Sequence, residues 1–274
     1  MPDSHLAWKE MTPYEPFLSE DNNDCLFTAE MIDDLPNLVD KQKITVSCQG
    51  PDMPRLELYE WEGKWLIEVA PTLEAPVRAL MFMDKDLSIM QFRVLGSLRF
   101  SLNSVLMLMY ASATAAKNTL LMHASVTMNN GYGYIFLGKS GTGKSTHSQL
   151  WINNIEGCDL LNDDNPVIRV MEDGSVEVFG TPWSGKTPCY RNLHVPVGAI
   201  VDLHQAKENK IRRLSLFEAY AALYVSVSGH RFIKEMADGL HATNEKVLSA
   251  VPCYSLDCLP NADAAFLCYN TVAK

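Results

Sequence analysis

The sequence predicts an α/β protein in which a mixed, antiparallel-rich sheet carries a phosphate-binding loop, preceded by a β-rich region. Three observations predict it. Gly138-Lys139-Ser140-Gly141-Thr142-Gly143-Lys144-Ser145 fits the spacing G-x-x-x-x-G-K-[ST]. The apolar run Tyr132 to Leu137 enters this loop as a strand, and Thr146 to Ile152 leaves it as a helix. A second strand-like run, Leu121 to Thr127, precedes the first across Met128-Asn129-Asn130-Gly131. That turn signal implies a hairpin, so the strand feeding the loop is expected to have an antiparallel neighbour.

Along the chain, residues 1–25 are polar and proline-bearing and read as an irregular arm. Residues 26–100 read as a β-rich region. Lys43–Cys48, Arg55–Trp61 and Lys64–Val69 alternate with period two, and Glu62-Gly63 joins the last two as a hairpin. Val77–Met83 and Leu87–Val94 extend the set to an antiparallel meander without a catalytic signature. Residues 101–274 are expected to form the nucleotide-binding domain, opening with a mostly apolar helix from Ser101 to about Asn118. Val167–Val170 and Ser175–Phe179 form a further hairpin across Glu172-Asp173-Gly174, followed by strands at Pro196–Leu203 and Ile211–Leu214. Helices are expected at 215–225, 230–240 and 243–250, and closing strands at Tyr254–Asp257 and Ala264–Tyr269.

Composition excludes several classes. The chain has 274 residues, 47% of them apolar and 20% charged, in the ordinary range for a soluble globular protein. A formal charge of −10 argues against a general nucleic-acid surface, which needs clustered Lys and Arg. The chain contains no uncharged apolar run of about 18 residues, and its start lacks the basic and apolar stretches of a secretory signal. A cytoplasmic protein without membrane or nucleic-acid partners is expected. The seven cysteines are scattered, odd in number and without a C-x-x-C pair, so they read as reduced thiols rather than zinc ligands. His147, His194, His204, His230 and His241 have no partner at ligand spacing and read as packed or surface histidines.

The loop residues suit one chemistry. Glycines at 138, 141 and 143 permit backbone angles that turn successive N–H groups onto an anion. Lys144 reaches the outer phosphates and the Ser145 hydroxyl ligates magnesium, with Thr146 opening the helix, so a nucleoside triphosphate, ATP, with Mg²⁺ is expected. A magnesium–triphosphate site also needs a carboxylate. Two candidates compete: Asp163 with Asp164, which begin 19 residues after Lys144, and Asp202, at the end of an apolar strand like that of a Walker B motif. The second describes an ordinary P-loop ATPase. Gly180 to Lys186 reads either as a loop over the phosphates, with Lys186 as a second cation, or as a segment that Trp183 plugs onto the core. Arg191 or Arg231 could supply that cation instead.

The order His123, hairpin, glycine loop, helix, Leu160-Leu161-Asn162-Asp163-Asp164 resembles the catalytic domain of HPr kinase/phosphorylase, in the phosphoenolpyruvate carboxykinase-like group. His123 stands fifteen residues before Gly138, the family's interval. The resemblance is specific over residues 120–170 and only suggestive over 180–274, and residues 1–100 do not match the family's N-terminal domain. It implies an antiparallel-rich mixed sheet bearing the loop, and ATP-dependent phosphorylation of serine on a protein or peptide. It also implies that one aspartate of the pair is general base and the other a metal ligand, with the histidine assisting the base. On that pattern the catalytic residues are Asp164, His123 and Lys144, and the metal ligands Ser145 and Asp163, with the aspartate roles interchangeable at this stage. The family's arginine-rich C-terminal segment is replaced by Leu259-Pro260-Asn261-Ala262-Asp263-Ala264-Ala265-Phe266, and its glutamate and Arg-Gly segment by Phe179 to Lys186. HPr itself, the reverse phosphorylase reaction and the family hexamer are therefore not carried over, although a homo-oligomer remains compatible with the sequence. An ATP-binding regulatory protein without phosphotransfer is the alternative from a different class. Small-molecule carboxykinase chemistry is a third, and would demand a second Arg/Lys cluster.

Overall fold

The first unit is built on sequential pairing. The computed structural model describes residues 9–20, 25–48, 53–185 and 187–274. These divide into two compact units, Met1–Ala113 with His230–Lys234, and Thr114–Gly229 with Glu235–Lys274. The described part of the N-terminal arm contains a 3₁₀ helix, Thr12–Phe17, with Pro13 in its first turn, so the arm is not wholly irregular.

Six strands follow: β1 (Thr28–Met31), β2 (Gln42–Cys48), β3 (Arg55–Trp61), β4 (Lys64–Ala70), β5 (Ala79–Met83) and β6 (Ile89–Val94). Strands β2 to β6 form the expected antiparallel meander, and β1, which the sequence did not suggest, adds in parallel to β6. Glu62 and Gly63 both have positive φ, 47° and 75°, the geometry that a two-residue hairpin demands. Strand β6 begins two residues later than expected because Leu87, at φ 61°, belongs to the turn before it. Alternation sorts the side chains. Ile67, Val69, Met81, Met83 and Met90 are fully buried on one face, while Tyr59, Trp61, Leu66, Leu80 and Phe82 cluster on the other beneath Ile32, Leu38 and Val77. Helix α1 (Leu98–Thr114) follows, and its Ser101 hydroxyl donates to the Arg78 carbonyl at 2.8 Å.

The second unit is built on non-sequential pairing. Its strands are β7 (Thr119–Met122), β8 (Ala124–Asn129), β9 (Tyr132–Leu137), β10 (Asp159–Asp164), β11 (Val167–Val170), β12 (Val176–Phe179), β13 (His194–Gln205), β14 (Lys210–Arg213), β15 (Val227–Ser228) and β16 (Cys253–Cys258). They form one mixed sheet in the order β10-β8-β9-β13-β12-β11-β7-β15, with β16 pairing β13 and β14 pairing β16. The hairpin before the loop is present: β8 and β9 are antiparallel across Asn130 and Gly131, at φ 50° and 79°. The other neighbour of β9 is β13, which is parallel to it.

Four helices complete the unit: α2 (Lys144–Asn154), α3 (Leu216–Ser226), α4 (Lys234–Ala250, its first residue in the 230–234 segment of the first unit) and α5 (Ala262–Val272). Two of them correct the sequence reading. The two helices expected at 230–240 and 243–250 are one, because Met236, Leu240, Thr243, Asn244 and Val247 bury a single helical stripe that runs on through Gly239. Residues 264–269 are helical rather than a strand. Asn261 caps the helix by accepting from the Ala264 N–H, and burial of Ala264, Ala265, Cys268 and Val272 follows the helical period. A third correction matters more for the site. The strand expected at 121–127 is broken at His123 into β7 and β8, which pair with different strands.

Helices α2 and α5 pack on the same side of β9, β13 and β16. Trp151 lies at the centre, fully buried among Tyr134, Phe136, Val201, Leu256 and Cys268. Its ring stands 5.3 Å from Phe136 and 5.4 Å from Tyr269, and its indole N–H donates to His147 Nε2 at 3.1 Å. Truncating such a residue costs about 3–5 kcal/mol, so the helix behind the glycine loop is held firmly.

Candidate active site

The loop adopts the backbone that its glycines permit. Gly138, Gly141 and Gly143 have φ of 144°, 81° and 108°, and Gly143 caps α2 in the left-handed region. A side chain at Gly138 would also press on the Leu203 carbonyl and on Thr142, each 3.2 Å from its Cβ. The Thr142 N–H donates to the Lys139 carbonyl at 3.1 Å and the His147 N–H to that of Gly143 at 2.8 Å. Gln205, at the end of β13, donates to the carbonyls of Gly141 and Thr142 at 3.2 and 3.3 Å. Lys139, Ser140, Gly141, Ser145 and Thr146 are exposed around the loop.

Lys144 is buried, and its ammonium donates to the Gly138 carbonyl at 2.8 Å. Burial pulls its pKa below the usual lysine value, and the charges of Asp164 and Asp163 partly oppose that shift.

The carboxylates arrive from the neighbouring ladder. Strand β10 runs antiparallel to β8 with Asp163 opposite Ser125 and Asp164 opposite Ala124. The Ser145 hydroxyl donates to Asp163 Oδ1 at 2.9 Å, and Asp163 is 4% exposed. His123 Nδ1 lies 3.2 Å from Asp164 Oδ1, with both side chains about one-third exposed. Because His123 is the break between β7 and β8, its backbone N–H leaves the ladder and donates to the Ser226 carbonyl at 2.7 Å, at the end of α3. Asp164 has φ 137°, a conformation that side-chain-bearing residues rarely adopt, and it ends the strand.

The competing residues are engaged elsewhere. Asp202 lies opposite Leu137 on β13, but its carboxylate meets His204 Nε2 at 3.0 Å, while Ser145 is held by Asp163. Burial raises the Asp202 pKa above the ordinary carboxylate value. Arg191 donates to Asp159 at 2.6 Å, at the opposite end of β10 from Asp164. Arg231 falls in the 230–234 segment grouped with the first unit, and Lys186 lies outside the described residues.

The Gly180–Gly185 segment binds to the aspartate pair. Asp164 forms an antiparallel bridge with Ser184, and the Gly185 N–H donates to the Asp163 carbonyl at 2.5 Å. The Asn165 amide donates to Asp164 Oδ2 at 2.8 Å. Sequence reasoning missed Asn165, Thr181, Ser184 and Gln205 as supports of the site. The Asn165-Pro166 pair signals a break in the strand, but nothing in the sequence announces that 180–185 pairs with it.

The donor set fits a magnesium–triphosphate: a buried lysine in a glycine turn at a helix N-terminus, with a serine hydroxyl already on a carboxylate. Among the described residues no group of three or more His, Cys, Asp or Glu forms a metal cage. A metal that keeps waters and takes one or two protein carboxylates plus phosphate oxygens does not need one. Among the described residues no helix is long and apolar enough to cross a membrane. A cavity of about 520 Å³ is lined by first-unit residues, among them Trp61 and Phe82, and by none of the site residues above.

No family model and no curated protein matches this sequence. Among solved structures the chain is similar to the HPr(Ser) kinase/phosphatase from Coxiella burnetii, at 12% identity and a TM-score of 0.32, over 56% of this chain and 93% of that one. That likeness is too distant to assign residues or chemistry.

Proposed function

We propose that the chain is a magnesium-dependent ATP phosphotransferase of the HPr serine kinase kind, acting on a hydroxyl, most simply a serine of a protein or peptide. One observation carries the reading. Two adjacent carboxylates meet two different partners beside one glycine loop, Asp163 the Ser145 hydroxyl and Asp164 the His123 imidazole. Phosphoryl transfer needs positioning, charge neutralisation and a group to take the hydroxyl proton. The glycine-loop amides from Gly138 to Gly143 and the Lys144 ammonium hold the phosphates. Ser145 and Asp163 would hold the metal, which when bound would neutralise charge on the phosphate oxygens. Asp164 takes the acceptor proton as the acceptor oxygen bonds to the γ-phosphorus and the bond to the β-phosphate breaks. His123 orients Asp164 from the side of Oδ1.

The test is whether the two aspartates differ in kind. Asp163→Asn weakens the apparent Mg²⁺ constant. Asp164→Asn leaves MgATP binding near wild type and lowers turnover by ~10² or more, with His123→Ala a milder version of the same. Phosphate release serves as the assay, and labelled ATP with cell extract identifies the acceptor. Wild-type turnover in all three variants would leave a nucleotide-binding protein without transfer.

A further inference from the structure

Adjacent residues of a regular strand point to opposite faces, so Asp163 and Asp164 can serve one site only if the chain breaks between them. Asp164 makes that break at φ 137°, and such a conformation persists only where its surroundings over-determine it. The restraint is a small buried polar cluster. The Thr181 hydroxyl donates to the Asn165 carbonyl at 2.7 Å and accepts from the Asn162 amide at 3.1 Å and the Trp183 N–H at 3.2 Å. One hydroxyl offers one proton and two lone pairs, so its capacity is filled. Asn165 then returns its N–H to the Trp183 carbonyl at 3.2 Å and its side-chain amide to Asp164 Oδ2 at 2.8 Å. Asn162, Thr181 and Asn165 are 0%, 4% and 9% exposed, so none of these bonds competes freely with water.

We infer that Asn165 and Thr181 are positioning residues for Asp164. Thr181 pins the Asn165 backbone, and the Asn165 amide fixes one carboxylate oxygen, leaving the other for His123. None of these bonds reaches Lys144 or Ser145, so the cluster governs the proton acceptor and not nucleotide affinity. This rests on the phosphotransferase reading for its kinetic consequence, but its geometric consequence stands apart from that reading.

The decisive pair is Thr181→Val, which keeps shape and loses the hydroxyl, and Thr181→Ser, which keeps the hydroxyl. Thr181→Val should leave the MgATP Kd within ~2-fold of wild type and lower the kcat for phosphate release by ~10- to 100-fold, the scale of a small misplacement of a reacting group. Thr181→Ser should recover kcat to within ~3-fold. A crystal structure of Thr181→Val should show Asp164 out of the left-handed region and parted from His123. Should Thr181→Val fail to fold, Asn165→Ala carries the same three measurements. A lowered Tm with unchanged kcat, or a variant structure in which Asp164 keeps its φ and its His123 contact, overturns the inference. A wild-type chain without turnover would remove the kinase reading and leave the variant structure to decide the positioning role.

Discussion

The two sheets differ in how they are wired and in what they carry. In the first, β2 to β6 pair with their neighbours in sequence, and the one exception is the short parallel β1. In the second, β13 pairs with β9, β12 and β16, and β7 and β8 part at His123 to join different strands. Among the described residues the first sheet has positive φ only in turns, at Glu62 and Gly63 for example, whereas the second has it at Asp164, the last residue of a strand. Sequential pairing yields a regular surface, since each hairpin constrains only its own neighbours. Non-sequential pairing brings distant segments to one edge, and the candidate chemistry sits at the irregularities this creates.

The largest expected effect tests whether nucleotide binding belongs to the second sheet. Lys144→Ala should weaken MgATP binding by more than ~100-fold, the equivalent of one good charge-assisted contact. Unfolding is not expected, because burial already holds the Lys144 ammonium below its ordinary pKa and the folded state gains nothing from carrying that charge. Isothermal titration on a variant with an unchanged circular dichroism spectrum measures this. Retained affinity would detach the glycine loop from nucleotide and dissolve the contrast between the sheets.

The next effect concerns stability in acid. Burial holds His147 down to about 4, with its Nε2 accepting from Trp151 beneath the glycine-loop helix. A histidine whose folded pKa lies below its unfolded value of 6.5 binds more protons unfolded than folded between those two values. Stability is therefore lost as pH falls from about 6.5 to about 4, by ~3 kcal/mol in all. His147→Gln keeps an acceptor for the indole and removes the titration. Urea unfolding at pH 7 and pH 4 should show wild type losing ~3 kcal/mol more than the variant between the two conditions. His230, also held down to about 4 by burial, is present in both proteins and cancels. Equal losses in the two proteins would mean that the helix behind the loop does not exclude water as its packing indicates.

What could be read in advance follows the same division. Alternation in Arg55–Trp61 and Lys64–Val69 and the Glu62-Gly63 turn specify local pairing, and the meander was legible from them. The glycine loop and the Asn130-Gly131 turn were legible for the same reason, because both record backbone geometry in adjacent residues. Residues 264–269 were not, since a short apolar run fits either period until its cap and burial are known. The division at His123 was also hidden. Leu121 to Thr127 is continuous as a strand pattern, and only pairing with Val167–Arg169 on one side and Tyr134–Phe136 on the other pulls it apart. The aspartate pair could be found by its resemblance to a known pattern, but Thr181, sixteen residues beyond Asn165, could not, because a buried hydroxyl leaves no periodic trace.

The smallest effect probes the irregularity itself. In a regular strand glycine is less stable than alanine by ~0.5–1 kcal/mol, because it loses more backbone freedom on folding. Ser47, exposed within β2 of the first sheet, should follow that order, with Ser47→Gly below Ser47→Ala. At Asp164 the order should invert. Both Asp164→Gly and Asp164→Ala lose the bonds to Asn165 and His123, so those losses cancel in the comparison. What remains is φ 137°, which glycine occupies freely and alanine occupies at a cost of ~1–3 kcal/mol. After the entropic penalty of glycine is set against that strain, Asp164→Gly should exceed Asp164→Ala by ~1 kcal/mol in urea unfolding. The same order at both positions would mean that the alanine variant relaxes into an ordinary strand end. Asp164 would then be held by its own side-chain bonds, with the backbone following the carboxylate. An inverted order would show that the backbone break is imposed by the surrounding ladder and the Thr181 cluster even when the carboxylate is gone.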